Sequence, residues 1–432
     1  MTDRRQVTIR VPMLARVEGE GALDVAIRDG AITALELRIY EAPRLFEKLL
    51  EGRSYAEVPD IVARICGICP VAYQMSAVQA LENAFGVQVS DWVDDLRRAM
   101  YCGEWIQSHA LHIHLLAAPD FLGADSVIAL AATHADAVRR GLRLQALGNE
   151  LIELFGGRSV HPVGVCVGGF HRAPDPRDVA ALVDKLRAAV PEALALVEWT
   201  AGFPLPRDEQ DFTCVALSNP DGYAMYAGRI ASSNRLDIDA SEYDAHFAEH
   251  QVPHSTALHS LFHGAPYLVG PLARLNLNHQ RLPQPVRAVL AQTGIAVPSR
   301  NMFESIVARA LEICCALLEA IRILEAYVPC DTPNTPVTPR AGVGAGATEA
   351  PRGLLWHRYE TDDEGHILSA RIVPPTSQNQ ARIEQDLKAS LEAFGLQQPD
   401  DALRRRGETV IRNYDPCISC ATHFLRLSVD RR

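Results

Sequence analysis

The chain has 432 residues, 48% hydrophobic and 22% charged, with a formal net charge of −11. That length can bury a large core, and the acidic balance argues against a nucleic-acid partner, which wants clustered Lys and Arg. No run of about eighteen apolar residues occurs, and the opening MTDRRQVTIRVP has no apolar stretch, so neither a membrane span nor a secretory leader is expected.

Residues 6 to 41 alternate apolar and polar around a turn at Asp29-Gly30, which predicts a short antiparallel sheet from VTIRVPML, ALDVAIRD and AITALELRI. Beyond it the pattern is mainly helical, with apolar periodicity over about 91–117, 125–155, 176–200 and 301–328, the last opening on Asn301 and Glu304 in capping positions. Such helices pack as a central bundle. The stretch from Val328 to Gly353 is rich in proline and glycine and reads as a loop, either a flexible linker or an ordered segment that delivers Arg352 to a buried site. A last sheet-like patch, LLWHRYETDDEGHILSARIV, turns at Asp363 to Gly365. The expected fold class is α+β, mainly α: one intertwined unit over 1–432. Its parts are a sheet at 6–41, a helical core at 55–328, a loop at 329–353 and a C-terminal region at 354–432.

Two cysteine pairs dominate the chemistry: Arg64-Ile-Cys66-Gly-Ile-Cys69-Pro70, and Asp415-Pro-Cys417-Ile-Ser-Cys420-Ala-Thr-His423. Each CxxC offers two thiolates to one soft metal, and two pairs together supply a four-thiolate site. A single CxxC fits a structural zinc half-site or a redox pair equally well. Structural zinc sites gather their ligands within one small module, whereas these pairs lie 351 residues apart in a chain that needs no zinc staple. The other cysteines, Cys102, Cys166, Cys214, Cys314, Cys315 and Cys330, lack ligand spacing and read as core. Ten cysteines without a leader favour a reducing compartment and metal ligation over disulfides.

RICGICP and DPCISCATH resemble the paired motifs of nickel-iron hydrogenase large subunits, and the likeness extends along the whole chain. ARVEG at 15–19, Arg44-Leu-Phe-Glu47, Gly157-Arg158-Ser-Val-His161-Pro162, Ala350-Pro351-Arg352-Gly353 and Val373-Pro-Pro-Thr-Ser-Gln-Asn379 follow in the family's order. Within the family, Glu41 to Arg44, Cys69 to Gln74 and Tyr267 to Arg274 most resemble the soluble NAD(P)-linked and sulfhydrogenase-like group.

By motif position the resemblance implies Cys66 and Cys417 as terminal ligands of nickel, with Cys69 and Cys420 bridging nickel to iron, the iron also carrying carbon monoxide and cyanide. Soft sulfur suits such low-valent metals. Heterolytic cleavage of hydrogen releases a proton that needs a base, and Glu18 matches the family's relay glutamate, although an isolated Glu18 reads as a strand-end surface residue. Arg352 matches an arginine poised over the nickel and Asp415 the carboxylate that pairs with it; the bland alternative is an ion pair tying two loops. Glu47, the backbone carbonyl near Ile372 and His423 match the ligands of a second, harder cation, magnesium or iron. His161 and His109 read either as neighbours of the metal ligands or as satisfied buried histidines. Glu20 and Ser108 depart from many respiratory relatives, which carry histidine and aspartate there.

The resemblance implies the catalytic subunit of a cytoplasmic hydrogenase that interconverts hydrogen with protons and electrons. The chain shows no cysteine cluster for iron-sulfur wiring and no GxGxxG fingerprint. An iron-sulfur small subunit and a flavin and iron-sulfur diaphorase module are therefore the expected electron path to NAD(P). Nickel-insertion proteins and a maturation protease are further expected partners, the protease trimming after His423 to remove Phe424 to Arg432. The alternatives are a hydrogen-sensing regulatory subunit and a non-catalytic hydrogenase-like subunit of a larger redox complex.

Overall fold

The computed structural model describes residues 6–422. Alternating residues of Gln6–Val11, Gly21–Arg28 and Ala31–Ile39 build the expected antiparallel sheet, placing Ile9, Val11, Leu23, Val25, Ile27, Leu37 and Ile39 in the core. Asp29 and Gly30 both take positive φ, 51° and 79°, as a two-residue hairpin between right-twisted strands requires.

Four of the long helices form the centre: α1 (Pro70–Phe85), α2 (Asp91–Leu111), α3 (Ala135–Gly156) and, after α4 (Pro176–Ala201), α5 (Ser305–Glu325). Ser90 caps α2 by accepting from the Val93 amide, and Asp175 caps α4 from the Arg177 amide. α2 and α3 approach closely because Gly103 and Gly148 face each other; a Cβ on Gly148 would sit 2.5 Å from the Gly103 carbonyl oxygen. The helical pattern expected over 91–117 changes pitch at its end, where His112–Ala117 widens into a π-helix. The stretch expected over 125–155 divides at His134 into Val127–Thr133 and α3. Asn301 caps as expected, accepting from the Phe303 amide; Glu304 does not complete a capping box and instead accepts from the Ser299 hydroxyl.

Three segments correct the sequence-based layout. The region 329–353, expected as a loop, is a loop only in its first part: β1 (Gly342–Ala350) pairs antiparallel with β2 (Gly353–Thr361), and β2 with β3 (Ile367–Val373). The glycines that suggested a loop serve close packing, because α1 lies directly on the strand. A Cβ on Gly346 would stand 2.5 Å from the Ser76 carbonyl oxygen, and one on Gly344 would collide with that of Ala80. The span 55–328 is not purely helical: small antiparallel sheets occupy Val215–Ile238 and Phe247–Phe262. Among the described residues, the C-terminal region holds two long helices besides its strands, α6 (Pro375–Phe394) and α7 (Asp400–Tyr414).

Buried apolar side chains from the N-terminal sheet, the bundle and the C-terminal helices join in one extended core. A second cluster packs Tyr243, Phe247, Tyr267 and Trp356 beneath the mid-chain sheets, with Tyr243 stacked on Trp356 at 4.6 Å between ring centres. Among the described residues, no helix is long and apolar enough to cross a membrane.

Candidate metal centre

Cys66 leaves a 3₁₀ turn, Ala63–Ile65, in extended conformation, and three residues later Cys69 stands at the N-cap of α1. Pro70 opens the helix where a missing amide proton costs nothing. The chain folds back on Cys66, whose sulfur accepts from the amides of Ile68 and Cys69 at 3.3 and 3.4 Å. Glu104 of α2 accepts from the Val71 and Ala72 amides at 2.6 and 3.1 Å and so satisfies the first turn of α1 from inside the core.

The second pair sits on much less structure. α7 ends at Asp415, a non-glycine residue in left-handed conformation with φ 55°, and Cys417 then leads into one helical turn, Ile418–Ala421. Neighbours hold that turn. The Ile418 amide donates to the Glu18 carbonyl and the Ser419 amide to its carboxylate, both at 3.0 Å, while the Cys417 amide donates to Thr376 Oγ1 at 3.0 Å.

The two pairs converge. Cys66 Sγ lies 3.4 Å from Cys417 Sγ, Cys69 Sγ 3.6 Å from Cys420 Sγ, and Cys417 Sγ 2.8 Å from Cys420 Sγ, with all four sulfurs within 4.8 Å of one another. All four are buried. Hydrogen bonding from Cys417 lowers the Cys66 thiol well below the ordinary thiol range, while burial raises that of Cys417. Four thiolates this close repel unless a cation replaces their protons, and soft divalent metals do so with sulfur ligands. The donor set therefore fits a nickel-iron pair.

Arg352 and Asp415 meet beside the sulfurs. Arg352 donates to the Asp415 carbonyl at 2.9 Å and its carboxylate at 3.1 Å, and reaches Ser108 Oγ at 3.5 Å. Burial alone would raise the Asp415 carboxyl, but the charge of Arg352, then that of Arg309, holds it below the usual value. Arg309 on α5 lies 3.4 Å from the other Asp415 oxygen and 3.4 Å from His109 Nδ1. His109 continues to Glu312 at 2.9 Å, and Glu312 to Arg274 at 2.7 Å and onward to Glu349. Arg274, near the end of this buried polar chain, stacks on Trp105, whose ring centre is 4.6 Å from the guanidinium carbon. Burial lowers His109 to about 4, so the ring is neutral at physiological pH and lies in the core beside the Glu312 carboxylate. His161, at φ 50°, hydrogen-bonds the Ala63 carbonyl at 2.7 Å and braces the turn before Cys66.

Of the residues matched to a second cation site, Glu47 and Ile372 are neighbours: the Ile372 amide donates to Glu47 Oε1 at 2.7 Å. His423 and the tail after it lie outside the described residues.

Sequence reasoning missed several supporting groups. Arg44 donates to the Ile65 carbonyl at 2.6 Å and to the Ser419 carbonyl, bridging the two cysteine segments with one guanidinium, and its own amide donates to the Thr422 carbonyl at 2.7 Å. Thr376 and Arg44 both stood inside family-like segments, and that was the available signal. For Glu104 and Arg309 the only signal was a charge within an otherwise apolar helical run.

Four buried thiols brought together against a helical bundle, with a fixed arginine–aspartate pair beside them, define a soft-metal protein. The family model described as nickel-dependent hydrogenase matches residues 44–141 and 223–423. The alpha subunit of sulfhydrogenase 2 of Pyrococcus furiosus is 31% identical over 427 residues, covering 97% of this chain and 100% of the relative. The alpha subunit of sulfhydrogenase 1 of the same organism is 31% identical over 431 residues, covering 97% and 98%. A solved NAD⁺-reducing [NiFe]-hydrogenase in the H2-reduced state superposes with a TM-score of 0.86 at 29% identity, covering 98% of this chain and 100% of that one. The chain belongs to the nickel-dependent hydrogenases. It is the large, catalytic subunit of a nickel-iron hydrogenase, an oxidoreductase that cleaves hydrogen reversibly.

Proposed function

We propose that this subunit couples hydrogen to NAD(P) through partner subunits, a small one with iron-sulfur clusters and a diaphorase module with flavin and further clusters, in the cytoplasm. The observation that carries the reading is the convergence of Cys66, Cys69, Cys417 and Cys420 within 4.8 Å in a chain that resembles an NAD⁺-reducing enzyme along its length.

Cys66 and Cys417 would hold nickel terminally, while Cys69 and Cys420 would bridge it to an iron carrying carbon monoxide and cyanide. That pair supplies the polarisation and electron storage for splitting hydrogen. The chain's own groups do the rest. Glu18, half-buried and hydrogen-bonded to the cysteine turn at Ser419, accepts the proton and passes it outward. Arg352, fixed by Asp415, presents a permanent positive charge to the sulfurs in a low-dielectric pocket. Glu47, the Ile372 backbone and His423 hold a magnesium or iron ion that ties the chain's end to its N-terminal half. Trimming after His423 by a maturation protease, once nickel-insertion proteins have acted, completes the site. What remains of the chain then works as one intertwined unit.

The test is hydrogen-dependent reduction of NAD⁺ and NADP⁺ by the purified complex, with nickel and iron counted per chain and infrared bands sought from iron-bound diatomics. Hydrogen uptake with artificial acceptors but with neither nucleotide would refute the coupling and leave the family intact. An intact mass ending at His423 supports trimming; full activity with Arg432 attached refutes it.

A further inference from the structure

Far along the chain from the cysteines, the hairpin Phe247–Phe262 faces α6, and its connecting loop touches the N-terminal sheet through Thr256, whose amide donates to the Ile39 carbonyl at 2.8 Å. Three potential ligands meet there. His254 from the loop, His259 at the start of the second strand and Glu384 on α6 place their ligand atoms within 4.8 Å of one another. His254 Nε2 is 2.8 Å from Glu384 Oε1, and the same oxygen accepts from the Leu37 amide at 2.9 Å.

His259 is the unexplained member. Its side chain is buried, with 5% of the residue's surface exposed, yet Nε2 has no hydrogen-bond partner among the described residues. A buried ring nitrogen without a partner forfeits its solvation, which a bound cation would recover. His254 and Glu384 keep 19% and 20% of their side-chain surface exposed, so the cluster has an opening to solvent.

We propose that His254, His259 and Glu384 form a binding site for a divalent transition cation of the zinc type, separate from the four-cysteine centre. Two imidazoles and one carboxylate are a donor set of intermediate softness that zinc takes in tetrahedral geometry, with water in the fourth position. Bonds of about 2.0–2.1 Å set such donors about 3.3 Å apart, so the His254–Glu384 pair, now 2.8 Å apart, opens slightly while His259 closes inward. The proton shared between His254 and Glu384 leaves to solvent as the cation enters. The Leu37 amide on Glu384 Oε1 orients the carboxylate, as outer partners of metal ligands do. Occupancy would pin the mid-chain hairpin to α6, about two helical turns beyond Thr376, which holds the Cys417 amide.

The experiment adds cobalt(II), then zinc, to the mature complex with its nickel and iron in place. Wild type should bind one further ion per chain, give the visible absorption of tetrahedral cobalt(II), and rise in melting temperature with zinc. His254→Ala and His259→Gln should each bind cobalt(II) at least about tenfold more weakly, with nickel, iron and hydrogen uptake unchanged. If the buried His259→Gln variant fails to fold, the partly exposed His254→Ala variant decides. Absence of the cobalt band in wild type, or binding by His254→Ala within tenfold of wild type, overturns the proposal.

Discussion

The same tetrapeptide pattern is held in two different ways in this molecule. Cys66 and Cys69 open a sixteen-residue helix packed in the core, and their turn is closed by its own amides and by Glu104 from inside the bundle. Cys417 and Cys420 ride on a single helical turn whose bonds run outward, to Glu18, Thr376 and Arg44. One half of the metal centre is built by local folding; the other is docked onto it. The docked half has few bonds of its own, so loss of a group that holds it should loosen it while the helix behind the first pair stays formed.

Serine substitution should erase the comparison altogether. Cys66→Ser and Cys417→Ser each replace a soft ligand by a hard one and should abolish hydrogen uptake, measured alongside nickel content. A fully active Cys417→Ser enzyme would break the assignment of the docked half. Glu18→Gln probes the proton path without undocking the turn, since glutamine keeps an oxygen to accept from the Ser419 amide. Turnover should fall by about 10²–10⁴ with nickel retained; near-normal hydrogen–deuterium exchange would reduce Glu18 to a cap. Arg352→Lys keeps the charge but loses the fork that grips both the carbonyl and carboxylate of Asp415. A fall in turnover of about 10² at constant metal content is expected, and wild-type rates would make the pair a scaffold.

The smallest effect should be the most selective. Arg44→Ala removes the guanidinium that joins the Ile65 and Ser419 carbonyls and should weaken docking by about 1–3 kcal/mol. Amide exchange should accelerate at 417–422 and stay unchanged at 71–75. Equal acceleration in both segments would show that the two halves open together and that the contrast between them is false.

The sequence by itself determined the chemistry and the regular elements. CxxC spacing named four thiolates, period-two alternation with Asp-Gly marked the N-terminal hairpin, and apolar periodicity marked the long helices, because each signal is complete within a few neighbouring residues. Tertiary structure decided what depends on contacts between distant residues. Gly342–Ala350 is a strand because α1 presses on it, and no local pattern distinguishes such a glycine from one in a loop. The ion pairs of Arg352 and Arg309 with Asp415 and of Arg274 with Glu312 are buried because segments far apart in sequence bring opposite charges together, while each charge alone reads as surface. Arg44 is the sharpest instance: its position in a motif was legible, but its function exists only where residues 65 and 419 come within reach of one side chain.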